Sequence, residues 1–408
     1  MQFSLLALRP YRHLLACRLS EVMANQMLAV ALGWQMYDLT HSAFKLGLIG
    51  MLQFAPQLLL MLPSGHVADH YDRRRIMAWT QAVQALIGFT LALLGWRHQI
   101  TPDTLFMAAL ALGVVDAFQS PCRAALTPAL VGEAHLSQAL ALNAVLLRGA
   151  VIGGPALGGL IYGLGSGAVY LSTGLCWVAA CVAIASAPLQ ARSAPPERAE
   201  RPKASWQSML AGIQFIRQKK IILAAISLDL FAVLLGDATV LLPVYARTIL
   251  LVGPVGLGVL RAAPAVGALI MSLILTQRPV ERQPGRAMLL AFAVFGVATI
   301  VFGLSRNLGL SVLALAVFGA ADMVSMVVRS ALVQLETPDA LRGRVSSVNS
   351  LFIGASNLLG DFQTGLAASL LGTVPAVVVG GLGTLLVAAL WARLFPQLTA
   401  ANPPAVAS

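Results

Sequence analysis

The chain has 408 residues, 58% of them hydrophobic and only 11% charged, with a mean hydropathy of +0.81. A soluble domain carries roughly 25% charged residues, so this composition excludes an ordinary soluble protein and makes the bilayer part of the solvent. The net charge of +11 does not point to nucleic acid, because the basic residues sit in short segments between apolar runs, as membrane topology requires.

Runs of about 20 apolar residues cross a hydrocarbon core. Candidate spans lie near 13–38, 44–64, 76–96, 104–124, 137–162, 167–189, 221–247, 255–277, 287–305, 309–332, 345–371 and 373–395. The opening segment lacks a signal-peptide cleavage site, and Arg9, Arg12 and Arg18 flank or enter the first run. A cytoplasmic N-terminus is therefore expected. The segments after even-numbered spans then hold Arg73, Arg74 and Arg75, the basic residues between Arg192 and Lys220, the trio Arg278, Arg282 and Arg286, and finally Arg342 and Arg344. The opposite side holds little beyond Lys45, Arg97, Arg247 and Arg306, so both termini are expected inside.

One stretch breaks the apolar rhythm. Residues 190–205 are Pro-rich and charged and read as a linker. Residues 206–219 follow as an amphipathic helix expected to lie on the membrane surface. The expected organisation is a six-helix bundle over 1–189, a cytoplasmic linker with its helix over 190–220, and a second six-helix bundle over 221–408. The two halves repeat each other in rare polar residues. Gly113, Asp116 and Arg123 fall on Gly319, Asp322 and Arg329, and Asn143 falls on Asn349. In the earlier spans Glu21, Tyr37 and Pro56 fall on Asp229, Tyr245 and Pro264. Such duplication is an architecture of secondary transporters, with binding where the repeats meet. The fold class is all-α membrane protein, with twelve transmembrane helices in two pseudo-symmetric bundles.

The segment Gly65-His66-Val67-Ala68-Asp69-His70-Tyr71-Asp72-Arg73-Arg74-Arg75 resembles the signature loop of the major facilitator superfamily. Gly65, Ala68, Asp69, Arg73 and Arg74 match, whereas Val67, His70 and Asp72 depart from the usual Leu, Arg and Gly. Gly154-Pro155-Ala156-Leu157-Gly158-Gly159 resembles the core of that superfamily's antiporter motif, with Ala150 in place of an upstream glycine. The stretches beginning at Thr127 and Thr337 are similar to the enterobactin-exporter-like branch, also called drug:proton antiporter type 3. The resemblance implies the major facilitator fold, alternating access and proton drive. It also implies gating roles for Asp69 and Arg73. Physically, Asp69 is read as a carboxylate near a helix N-terminus, with Arg73 adding a charge-assisted bond. The competing reading is topological, with the arginines simply holding the loop inside.

Six acidic residues fall well inside expected spans: Glu21, Asp116, Asp229, Asp237, Asp322 and Asp361. Each costs about 2.5–3.5 kcal/mol on insertion scales and must face a cavity or a partner. Glu21 and Asp229, at equivalent places, are the first candidates for proton coupling. Arg18, three residues before Glu21, shares its helix face, so a static salt bridge is the alternative. Asp116 and Arg148 lie at similar depth and are expected to pair. Gly354 stands at the position equivalent to Arg148, which is expected to leave Asp322 freer to titrate or to bind a cation. Asp361 replaces the counterpart of Pro155 and shares a face with Asn357. Asp237, near Thr239 and Tyr245, is placed to meet a substrate from the outer side. For the glycines of residues 154–159 close helix packing is the competing reading, and it is compatible with an exporter role. Trp34, Tyr37 and Trp96 read as interface aromatics.

Cys17, Cys122, Cys176 and Cys181 read as apolar packing residues, and neither a metal-ligand spacing nor a Walker loop GxxxxGK[ST] is present in the sequence. The reading is a non-enzymatic, proton-coupled exporter of a drug-like compound or siderophore, without a cofactor. It is expected as a monomer in a bacterial inner membrane, with lipid, protons and a small molecule as partners. A nutrient importer or facilitator is one alternative, and a non-transporting scaffold or receptor is another.

Overall fold

The computed structural model describes residues 8–131, 133–187, 206–278, 280 and 283–397. All of its regular structure among these residues is helical. The linker expected over 190–205 lies outside them.

In chain order the first half contains α1 (Arg9–Thr40), α2 (Ala43–Leu59), α3 (Met61–His70), α4 (Arg73–Trp96), α5 (Pro102–Val131), α6 (Glu133–Tyr162) and α7 (Ser166–Ala185). A short α8 (Trp206–Gln218) precedes the second half. There α9 (Lys220–Gly236), α10 (Gly253–Gln277), α11 (Pro284–Leu304), α12 (Leu308–Glu336), α13 (Asp339–Leu371) and α14 (Thr373–Leu394) follow. Nine helical stretches are long and apolar enough to cross a membrane among the described residues. The pair α2 and α3, bent by 59°, makes a tenth. The two remaining span positions are α1 and α13, of 32 and 33 residues. They are ample in length, but they carry polar and charged side chains that lower their hydropathy.

Local chemistry sets the helix ends. Asp72 caps α4, its Oδ1 accepting the Arg74 N–H at 2.9 Å. Asn307 caps α12 in the same way, through Leu310 N–H at 3.2 Å. Gly165 and Gly372, at φ 117° and 89°, make the tight turns before α7 and α14. Beyond α9 the chain breaks at Asp237 and then runs through a 3-10 turn, Thr239–Leu241, and a π turn, Tyr245–Ile249. Asp237 Oδ1 accepts the Thr239 N–H at 2.8 Å and satisfies the break.

The chain forms two compact units. One comprises Met1–His41, Leu52–Arg201 and Val252–Ala262, and the other Ser42–Met51, Pro202–Leu251 and Ala263–Ser408. In the first, α4 packs on α7 and α5, and α1 packs on α6 and α7. In the second, α11 packs on α14 and α12, and α9 packs on α13 and α14. The pairings correspond one for one, so the duplication read in the sequence is present in three dimensions. Close approach recurs at the same place. A Cβ on Gly113 would collide with the Gln53 carbonyl of α2, and one on Gly319 with the Pro264 carbonyl of α10. Only glycine lets these backbones touch.

In the C-terminal part of α8, Ile216 is buried with Ile222, Ile226, Val345 and Val348, with Ile213 packed against them. The interface reading of two aromatics is corrected. Trp34 and Tyr37 are buried, with Trp34 edge-on to Tyr162, whereas Trp96 is 56% exposed as an interface aromatic should be.

Candidate functional site: buried charges of the two units

Glu21 lies in the middle of α1 and is 0% exposed. Arg18, one turn earlier, brings its Nη1 to 3.2 Å from Glu21 Oε2. From α5, Arg123 Nη1 stands 2.5 Å from Glu21 Oε1 and 3.4 Å from Asp116 Oδ1. Two acids and two arginines thus neutralise one another where isolated charges are costly.

The second unit holds the counterpart. Asp229 on α9 is 5% exposed and forms an ion pair with Arg329 of α12. Glu21 corresponds to Asp229 and Arg123 to Arg329, so one acid–arginine bridge was duplicated with the fold. The copies differ in their surroundings. Arg18 is an addition of the first unit, since its counterpart three residues before Asp229 is Ile226. Removing one partner of such a buried pair costs about 3–5 kcal/mol, because the other charge is stranded.

The sequence reading expected Asp116 to meet Arg148. The structure gives Asp116 to Arg123 at a two-turn spacing, because the long arginine side chain closes a gap that backbone rise alone suggests is open. Arg148 is half-buried on α6 and has its own partner. Asp322 also has a partner. The signal that identifies the bridges is the joint repetition of rare residues, an acid in α1 and α9 with an arginine in α5 and α12.

In the signature loop Asp69 sits in the last turn of α3, not at a helix N-terminus, and pairs with Arg73 at 3.6 Å. The capping carboxylate is Asp72. Arg73 Nε also donates to the Ala68 carbonyl at 3.1 Å. Arg74 donates to the carbonyls of Ile184 and Ala185, locking the loop to the end of α7. Gly65 lies within α3 with open space around it.

The glycines around Pro155 bring α6 against α1. A Cβ on Gly154 would lie 2.5 Å from Gln26 Cβ, and one on Gly158 would lie 2.8 Å from Met27 Cα. On the other side Gly159 meets the Pro254 carbonyl. Asp361 is half-buried and partnered; its Oδ2 would lie 2.9 Å from a Cβ on Gly50. The side chain of Asn357, expected on the same face, lies outside the described residues. Asp237 serves the helix break, and Tyr245 donates to the Gly303 carbonyl at 2.9 Å from a fully buried position, so it is a packing residue.

The uncharged amides went unnoticed in the sequence. A pocket of about 190 Å³ within the first unit is lined by Asn25, Gln53, Gln57, Gln84 and Asp116 over an apolar floor that includes Leu28 and Leu112. Among the described residues no group of three or more His, Cys, Asp or Glu is arranged to hold a metal.

The model of the transmembrane secretion effector family matches residues 2–405. An enterobactin exporter, EntS, of Citrobacter koseri is 29% identical over 419 residues, covering 99% of this chain and 96% of its own. The enterobactin exporter of Shigella boydii is 29% identical over 394 residues, covering 95% and 88%. Among solved structures, a nucleoside transporter NupG variant aligns with a TM-score of 0.76 at 14% identity, covering 95% of this chain and 100% of its own. A bacterial homologue of the lysosomal transporter Spinster aligns with a TM-score of 0.74 at 14% identity, covering 97% and 98%. These likenesses establish the fold. The chain belongs to the transmembrane secretion effector family of the major facilitator superfamily, a family of secondary transporters and not of enzymes.

Proposed function

We propose that the protein is a proton-coupled exporter of a small molecule, a drug-like compound or a siderophore, working by alternating access in a bacterial inner membrane with both termini inside. The observation that carries the coupling is the burial of Glu21 between Arg18 and Arg123. A proton on Glu21 cancels the charge that holds Arg123. Proton uptake and release of the bridge between α1 and α5 are then one event, as a coupled transporter requires. Asp229 and Arg329 offer the same chemistry in the second unit. The Asp69–Arg73 pair and the glycines around Pro155 supply the gating and packing roles. The relatives named as enterobactin exporters support export and make a siderophore the first cargo to try.

The test uses proteoliposomes with enterobactin, and separately ethidium, as cargo. Accumulation against a concentration gradient that needs an imposed pH gradient supports the proposal. Equilibration that ignores collapse of the gradient favours a facilitator instead.

A further inference from the structure

Several residues of the amide-lined pocket are replaced by apolar ones in the duplicate of the same fold, although the duplicate keeps the ion pair beside it. Asn25 stands four residues after Glu21, and the residue four after Asp229 is Val233. Leu112 stands four residues before Asp116, and the residue four before Asp322 is Phe318. On their buried faces Met77, Gln81, Gln84 and Leu91 of α4 correspond to Met288, Phe292, Phe295 and Phe302 of α11. In the second unit Val233, Phe292, Phe295 and Phe318 belong to one apolar core. The rings of Phe295 and Phe318, at the places of Gln84 and Leu112, lie 4.1 Å apart. At the places of Asn25, Gln81 and Gln84 the fold therefore packs well with hydrocarbon, so these three amides are not a demand of the helix bundle, whereas Gln53 falls on Arg261 and Gln119 on Ser325, which stay polar.

Gln57 donates to the Gln53 carbonyl at 3.5 Å, but three other buried amides have atoms without partners. Gln84 lines the pocket and is 2% exposed, and its Oε1 accepts no hydrogen bond from the protein. One turn away, Gln81 is fully buried with both amide atoms unpartnered, as is Gln119 on α5. Unsatisfied amides in a low-dielectric interior are costly and are retained where something else satisfies them. An amide both donates and accepts and carries no charge. Among the described residues the charged lining group is Asp116, and it is already matched by Arg123.

We infer that this pocket binds the uncharged, hydroxyl- or carboxamide-bearing ring of the transported molecule, the ring lying on Leu28 and Leu112 while Asn25, Gln53, Gln57 and Gln84 pair its polar edge. At about 190 Å³ it is smaller than a site for a whole ligand and takes one moiety of a larger cargo. The assignment rests on the export reading for the identity of the cargo, but the binding itself is independent of energy coupling.

The experiment is saturation-transfer NMR on the full chain in lipid nanodiscs, without any gradient. The probes are benzamide and catechol, matched against benzoate and benzylammonium. The two neutral probes are expected to bind about tenfold more tightly than the charged pair, and Gln84→Phe to lose about tenfold in affinity for them. Asn25→Val, the other residue borrowed from the second unit, is expected to weaken them in the same direction and decides the matter if Gln84→Phe does not fold. Equal binding of charged and neutral probes overturns the inference. So does wild-type binding in both variants, or no transfer to any probe, which makes the pocket a water site only. Gradient-driven export without probe binding sinks this inference alone, and probe binding without proton-dependent transport sinks only the coupling.

Discussion

Replacing Arg329 by Met strands the carboxylate of Asp229 in the interior of the second unit. The side chains of the pair are 5% and 8% exposed, so water does not repair the loss. A buried acid deprived of its arginine destabilises by about 3–5 kcal/mol, or roughly two to three and a half decades in the unfolding equilibrium. The double variant Asp229→Asn with Arg329→Met removes both charges and is expected to recover most of that loss, because a neutral pair of similar volume has no charge to desolvate. The first unit responds less. Arg123→Met leaves Glu21 with Arg18 at 3.2 Å, so its cost is expected to be clearly smaller than that of Arg329→Met. Titration of the purified protein with sodium dodecyl sulfate in mixed micelles, followed by far-ultraviolet circular dichroism, measures each difference. A loss below about 1 kcal/mol for Arg329→Met, or a double variant no better than the single, refutes the reasoning.

Other positions give independent checks. Gly319→Ala places a methyl group against the Pro264 carbonyl and is expected to cost about 1–3 kcal/mol, read as a lowered melting temperature in detergent. Asp72→Ala removes the cap of α4 and is expected to cost about 1 kcal/mol in the same assay. In the native protein a maleimide should label half-buried Cys176 well before fully buried Cys17 and Cys122, as mass spectrometry of time-quenched samples will show.

The spans were legible because a bilayer accepts little besides long apolar helices. The two that stand out least, α1 and α13, carry Glu21 and Asp361 among other polar side chains, which dilute the apolar signal that reveals the fold. The ion pairs were half legible. Duplication singled out Glu21 with Asp229 and Arg123 with Arg329, but linear spacing hid that Arg123 reaches both Glu21 and Asp116. A one-turn uncertainty at the end of α3 moved the capping role from Asp69 to Asp72. The amides around Gln84 left no mark, because glutamine carries no charge and repeats no motif. Only the contrast with Phe295 in a packed structure gives them meaning.

The central claim is that Glu21 carries the coupling proton through its bridge to Arg123. The direct measurement is transport by Glu21→Gln in proteoliposomes, with Asp229→Asn beside it and enterobactin and ethidium as cargo. The account predicts that cargo exchange at equal concentrations persists in Glu21→Gln while accumulation driven by a pH gradient is lost. Full gradient-driven accumulation by Glu21→Gln would contradict it, and the same result in Asp229→Asn as well would remove both bridges from the coupling.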